Sequence, residues 1–152
     1  MPILDCIRRN FRSAVMSHCS DRGCTFKLDG LPKRFVLKGE KISTDSKICD
    51  CIVFVVQNGL FIGIVELKGR TVHASEVREK LANGIEIALQ IFDRCTTNLP
   101  KFQIYALVLA KSWDISQYEV LTSRTLTVRG KKHGILPKRC GVSFSEVISS
   151  LR

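Results

Sequence analysis

Two apolar runs with charges at one end constrain this chain more than any other feature. Cys49-Asp50-Cys51-Ile52-Val53-Phe54-Val55-Val56 is followed by Gln57-Asn58-Gly59, then by Leu60-Phe61-Ile62-Gly63-Ile64-Val65-Glu66-Leu67-Lys68-Gly69. Ionised groups are scarce in such runs because burying an unpaired charge is costly. Asp50 begins the first run, and Glu66 and Lys68 end the second. If the runs form a hairpin, all three charges meet at its open end. Two carboxylates that close attract a divalent cation, and a lysine beside them can organise a water or a phosphate.

Turn geometry decides whether the charges share a face. A two-residue Asn58-Gly59 loop would pair Gln57 with Leu60 and set Asp50 opposite Leu67. Asp50 and Glu66 would then point to opposite faces, because a one-residue slip reverses every side chain. A three-residue loop, Gln57-Asn58-Gly59, closes instead on Val56 and Leu60, with Gly59 expected at the left-handed position. Asp50 then lies opposite Glu66, with Cβ atoms about 5 Å apart. Lys68 shares their face because strand side chains alternate. A metal site here requires the three-residue loop or a compensating bulge.

Asp50, some fifteen residues, then Glu66-Leu67-Lys68 resembles the PD-(D/E)xK nucleases, which include restriction endonucleases, junction resolvases and repair nucleases. Val65-Glu66-Leu67-Lys68-Gly69, His73-Ala74 and a helix carrying Gln90 add to the likeness, which covers residues 34 to 112. The superfamily's usual proline before the first acid is Cys49 here. The resemblance implies an α/β fold of restriction-endonuclease-like type, a mixed central β-sheet flanked by α-helices. It implies a Mg²⁺- or Mn²⁺-dependent endonuclease that hydrolyses phosphodiester bonds in DNA, as a resolvase, repair or restriction enzyme does. Asp50 and Glu66 would hold the metal with the Leu67 carbonyl, and Lys68 would orient water or offset transition-state charge. Glu40 is the best candidate for an additional upstream acid, and Gln90 matches an assisting helical glutamine. Comparable small nucleases often act as homodimers. The alternatives are a non-catalytic nucleic-acid-binding protein on the same fold, or an interaction or scaffold domain whose charges only solubilise it; for Asp50, Glu66 and Lys68 themselves the alternative is a cross-strand ion pair at a sheet edge.

The formal charge is +10, which suits a polyanionic partner, DNA first and RNA second, because each neutralised phosphate releases counterions. Basic residues crowd the two terminal regions. Seven Lys or Arg between Arg124 and Arg152 face one acid, Glu146, and the first 47 residues hold ten against five acids. Arg8, Arg9, Arg12, Arg70, Arg129, Lys131 and Lys132 are the candidate phosphate contacts. Seven cysteines include no Cys-x-x-Cys pair, and His18, Cys19 and Cys24 make a poor zinc set, so the cysteines read as buried thiols. No apolar run reaches the roughly 18 residues of a membrane span. The N-terminus lacks a signal-peptide layout, so an intracellular, cytoplasmic protein is expected.

The chain reads as one domain over 1–152, with a core at about 34–112 and a basic C-terminal extension at about 113–152. Leu4, Ile7, Phe11 and Val15 predict a first amphipathic helix. Ser20 to Lys33 reads as an irregular arm, and Arg34 to Lys41 as a first strand. His73 to Arg94 has the spacing of a long amphipathic helix, with Val77, Leu81, Ile85, Ala88 and Phe92 on its apolar side. Phe102 to Ala110 is apolar throughout, as expected of a strand covered on both faces and parallel to its neighbour. Arg124 to Arg129 is a predicted strand, Gly130 to Gly134 a basic turn, and Ser143-Phe144-Ser145-Glu146 a capping box opening a last helix.

Overall fold

The computed structural model describes residues 2–43, 47–69, 71–96, 98 and 100–150. In chain order the elements are α1 (Pro2–Asn10), β1 (Val15–Met16), β2 (Cys19–Asp21), β3 (Cys24–Phe26), β4 (Arg34–Lys38) and α2 (Gly39–Ile42). They continue with β5 (Cys51–Val56), β6 (Leu60–Lys68), α3 (Ala74–Cys95), β7 (Phe102–Ala110) and α4 (Ile115–Thr122). β8 (Leu126–Val128), β9 (Lys131–His133), β10 (Ile135–Arg139) and α5 (Phe144–Ser150) complete the chain. The result is a mixed α/β fold around a six-stranded sheet, ordered β1-β4-β5-β6-β7-β10. β1, β4, β5 and β6 are antiparallel in turn, whereas β6, β7 and β10 run parallel.

The β5–β6 hairpin closes on the three-residue loop. Val56 pairs with Leu60 and the ladder runs to Cys51 opposite Val65. Gly59 has the expected positive φ (140°), and Asn58 before it is left-handed too (φ 54°). Asparagine tolerates the left-handed region because its short polar side chain bonds locally. Alternation then divides the two strands between two cores. Ile52, Phe54, Ile62 and Ile64 join the core under α3, which supplies Val77, Leu81, Ile85, Ala88 and Phe92. Val53, Val55, Phe61 and Val65 join a second core with Phe26, Phe144, Val147 and Ile148. Burial on both faces explains why the strands read as unbroken apolar runs.

Gly84 lets α3 lie close on the sheet. A Cβ there would stand 2.6 Å from Cys49 Sγ and 2.7 Å from Ile64 Cγ2. Gly39 allows an equally close approach at the end of β4, where a Cβ would collide with the Cys49 carbonyl. Its N–H donates to the Asp50 carbonyl at 2.9 Å, which fixes the backbone at the first acid.

Several expectations are corrected. The first helix ends at Asn10. After a short 3-10 turn, Val15 enters β1 opposite Leu37, where a β-branched residue suits the sheet edge. The expected arm at 20–33 contains a hairpin, β2–β3, whose Arg22-Gly23 turn has φ of 49° and 79°. Two positive φ values are what a tight two-residue turn demands. Arg129-Gly130 (φ 51° and 77°) makes the same kind of turn, so Lys131 and Lys132 lie on β9 instead of in a loop. Residues of the expected C-terminal extension supply β10, which pairs with β7, and α5, which seals the second core. Ser143 Oγ caps α5 by accepting from the Glu146 N–H at 3.2 Å.

The cysteines also depart from expectation. Cys6–Cys95, Cys19–Cys51 and Cys24–Cys140 are disulfides, and Cys49 alone is free and buried. The bridges span 89, 32 and 116 residues. In the chain-entropy view, closing such loops disfavours the unfolded chain by about 4–5 kcal/mol each. With Cys19 and Cys24 paired, no zinc set remains around His18. No helix among the described residues is long and apolar enough to cross a membrane.

Candidate active site

The hairpin register continues past Cys51 and Val65 to bring Asp50 beside Glu66 on the α3 face. Both acids lie at the end of the hairpin away from its turn. Asp50 Oδ2 accepts from the Leu67 N–H at 2.7 Å, which ties the first acid to the middle of the Glu66-Leu67-Lys68 motif. Glu66 is 1% exposed. Its Oε1 is buried and has no hydrogen-bond donor among the described residues. Its Oε2 lies 3.5 Å from Lys68 Nζ and 3.4 Å from Lys80 Nζ.

Burial pushes the Glu66 carboxyl up to about 7, and the charge of Asp50 and a hydrogen bond shared with it act in the same direction. Lys80 and Lys68 oppose the shift without cancelling it. Burial and the neighbouring Asp50 thus favour the protonated form of Glu66 up to near neutrality. For Lys80, burial works against the charge, but Glu66 and Glu76 outweigh it and hold the ammonium protonated. Glu76 completes the network at 3.2 Å from Lys80 and 4.0 Å from Lys68, and these lysines hold its carboxyl below the usual range. Cys49 packs beneath. Its burial, then Glu66 and Asp50, raise its thiol pKa, so it stays an uncharged filler.

A cleft of about 700 Å³ opens over this pair. Asp21, Arg22, Asp50, Glu66, Leu67, Lys68, Thr71, Lys80 and Lys111 line it. These residues come from six places: the β2–β3 hairpin, the residue before β5, the end of β6, the segment between β6 and α3, α3 itself and the residue after β7. The parallel β6–β7 pairing, Lys68 opposite Ala110, delivers Lys111 to the same end as the acids.

No protein family, curated protein or solved structure matches this chain. What the site can do follows from its donors. Asp50 and Glu66 are the carboxylates within reach of each other. The described residues contain no cluster of three or more acid, histidine or cysteine ligands. A hard divalent cation needs oxygen donors and keeps several waters, so two carboxylates and the Leu67 carbonyl are a sufficient protein share. The unpartnered Glu66 Oε1 is the observation that fits such an ion, since an orphaned buried oxygen calls for a cationic or proton-donating partner.

The other sequence candidates lie elsewhere. Glu40 is exposed, pairs with Lys38 at 2.9 Å, and reaches only an adjoining depression that also touches Asp50. Gln90 is exposed and lines a different depression with Phe11, Asn83 and Arg94. It lies ten residues beyond Lys80, about 15 Å along the helix axis. Arg8 stacks over Phe35 at 5.4 Å. With Arg9 and Arg12 it lines a depression beside Val15 on β1, three strands from β6. Arg129 is committed to Glu86 at 2.8 Å and Asp93 at 3.0 Å. Lys131 sits by Leu60 and Phe102, at the opposite end of β6 from the acids, about 20 Å away by strand rise. Lys132 is its exposed neighbour on β9, and Arg70 lies outside the described residues.

The cations that do reach the cleft are Lys68, Lys80, Arg22 and Lys111, of which sequence reading singled out only the first. Lys80 carries a usable signal, standing four residues after Glu76 and one turn before the close-packed Gly84. Arg22 carries none as clear, since its hairpin strands are three residues each. Nothing local marks Lys111, which the parallel strand pairing brings in.

Proposed function

We propose that the protein is a metal-dependent endonuclease acting on DNA, with a site of the PD-(D/E)xK kind on a restriction-endonuclease-like sheet. One observation carries this reading. Glu66, 1% exposed, keeps one oxygen without a donor among the described residues and lies beside Asp50 in the hairpin register. A purely structural ion pair would satisfy both oxygens, because an unmet buried acceptor costs about 1–3 kcal/mol.

Asp50, Glu66 and the Leu67 carbonyl would hold Mg²⁺ or Mn²⁺, which would lower the pKa of a bound water and neutralise charge on the phosphodiester. The rest is the work of this chain's residues. The Leu67 N–H holds Asp50 in place. Lys80 favours the ionised form of Glu66, so the site opens for a cation as pH passes the carboxyl's raised pKa. Lys68, one-fifth exposed and 3.5 Å from Glu66, points an ammonium where a phosphate oxygen would enter, and would offset the charge that develops there.

Plasmid, single-stranded, branched and RNA substrates incubated with Mg²⁺ or Mn²⁺ test this. Metal-dependent cleavage that disappears in Glu66→Gln and Lys68→Ala is the expected result. Equal cleavage by the wild type and both variants would remove these residues from the active site. Salt-sensitive binding without cleavage by any variant would leave a nucleic-acid-binding protein instead.

A further inference from the structure

Two cations reach the same cleft from the opposite wall, and the proposed chemistry leaves both unused. Arg22 occupies the β2–β3 turn, and Lys111 directly follows β7; both are exposed and both line the cleft. Neither makes an ion pair or a side-chain hydrogen bond with a described residue. The other two cations that line the cleft are engaged, Lys68 and Lys80 with Glu66 and Glu76. Gly23 sets the two free cations side by side. A Cβ at this position would stand 3.3 Å from Lys111 Nζ, so the missing side chain leaves room for the amine against the turn.

The turn is also held firmly over the site. Cys19–Cys51 anchors β2 to the residue after Asp50, and Cys24–Cys140 anchors β3 to the residue after β10. Gly69 at the end of β6 approaches the Arg22 carbonyl, its would-be Cβ lying 3.9 Å away. The backbone that carries Arg22 is thus held in place, so a ligand gripped there orders the side chain alone.

The need for such a grip follows from the charges. Asp21, Asp50 and Glu66 repel a phosphate, and Lys68 and Lys80 are already shared with Glu66 and Glu76. We infer that Arg22 and Lys111 form a phosphate clamp that binds the backbone of a nucleic-acid strand beside the phosphate presented to Asp50 and Glu66. The clamp rests on the nuclease reading and adds the strand's point of attachment to it. Guanidinium supplies the planar fork that matches phosphate oxygens, and ammonium supplies a point charge. The positions first suggested by composition, Lys131 and Lys132, lie at the other end of β6 and take no part.

Fluorescence anisotropy of a labelled oligonucleotide over a salt series, with Ca²⁺ replacing Mg²⁺ so that binding is read apart from cleavage, tests the clamp. Arg22→Asn keeps a residue that tolerates the left-handed turn, and Lys111→Gln keeps the stem. Each should weaken binding about tenfold, and the slope of log K against log salt should flatten by about 0.7–0.9 for each lost phosphate contact. Arg22→Lys should recover most of the loss, which a misfolded hairpin would not allow. Lys131→Ala combined with Lys132→Ala should bind as the wild type does. Wild-type affinity and slope in Arg22→Asn and Lys111→Gln, or an equal loss in the Lys131/Lys132 double variant, would overturn the clamp while the nuclease reading stands. Absence of salt-dependent binding by the wild type itself would remove the nuclease reading, and the clamp with it.

Discussion

The two ends of β6 differ in chemistry while matching in burial. Ile62 and Ile64 are 0% exposed beneath α3, and Glu66, two residues further on the same face, is 1% exposed. At the first end, side chains from β5, β7 and α3 close the space, with Phe54 in contact with Phe92 at 6.0 Å. At the second, the neighbours are Asp50, Lys68 and Lys80, and a cleft opens above them. Burial alone therefore does not separate core from site. What separates them is whether each buried atom has a partner. Apolar atoms at the first end need none, whereas Glu66 Oε1 lacks one.

The largest expected effects set the two ends against each other directly. Glu66→Gln should cut cleavage by about 10²–10³, the usual cost of removing one transition-state partner. Its thermal midpoint without metal should stay level or rise, because the buried charge of Glu66 and its repulsion from Asp50 disappear. Ile62→Ala should do the opposite. A buried Ile→Ala change costs about 2–5 kcal/mol, read as a lower denaturant midpoint, while the folded fraction still cleaves. Retained cleavage in Glu66→Gln, or a catalytic defect in folded Ile62→Ala, would erase the distinction between the ends.

A moderate effect is expected where the helix meets the sheet between them. Gly84→Ala places a methyl against Cys49 Sγ and Ile64 Cγ2. Overpacking of this kind costs about 1–3 kcal/mol. The shift would be transmitted to Glu66, two residues from Ile64, so stability and cleavage should fall together. Loss of stability with no change in cleavage would show that the site is insulated from the core packing.

The comparison also explains what was legible in the sequence. The apolar runs, the three-residue loop and the pairing of Asp50 with Glu66 could be read locally, because side chains alternate on a strand and a turn fixes register. The α3 spacing and the buried β7 were equally readable. The β2–β3 hairpin was not, since its strands are three residues each and two glycines and a proline nearby suggest loop. The cysteine pairs were not, because bridges across 89 and 116 residues depend on the tertiary fold. Net charge pointed to the termini. Yet Arg129 is neutralised by acids from α3, and the cations at the cleft are scattered singly through the chain. Composition counts charges but cannot say which ones a neighbouring carboxylate has already taken.

Smaller and graded effects should follow from pH. Glu66 titrates at about 7 in the folded protein, against an ordinary value of 4.5. Between those values the folded state binds more protons than the unfolded one, so stability from this group is greatest below about pH 4.5 and is lost as pH rises through about 7. The metal-free protein should therefore show a thermal midpoint that falls from pH 5 to pH 8, and Glu66→Gln should flatten that fall. Added Mg²⁺ should stabilise more at pH 8 than at pH 6, because the cation and the proton compete for one carboxylate. Lys80→Gln should shift the transition to higher pH, since Lys80 opposes the raised pKa. A midpoint with the same pH dependence in wild type and Glu66→Gln would show that this carboxyl is not the titrating group.

The smallest effects are expected from Glu40 and Gln90, and they test whether the chemistry is confined to one end. Glu40 is exposed and already holds Lys38 at 2.9 Å, and Gln90 faces a depression shared with Phe11 and Arg94. Gln90 runs beside the apolar end of the sheet because α3 starts near the acids and leads away from them. Lys80 takes the helix position that does reach Glu66. Glu40→Gln and Gln90→Ala should each leave the cleavage rate within about twofold of wild type, well short of the roughly 10²-fold expected for a group acting in the transition state. Rate measurements under single-turnover conditions separate the chemical step from product release. A hundredfold loss in Gln90→Ala at unchanged thermal midpoint would mean that substrate contacts extend along α3 over the apolar end, and the division between the two ends of β6 would no longer hold.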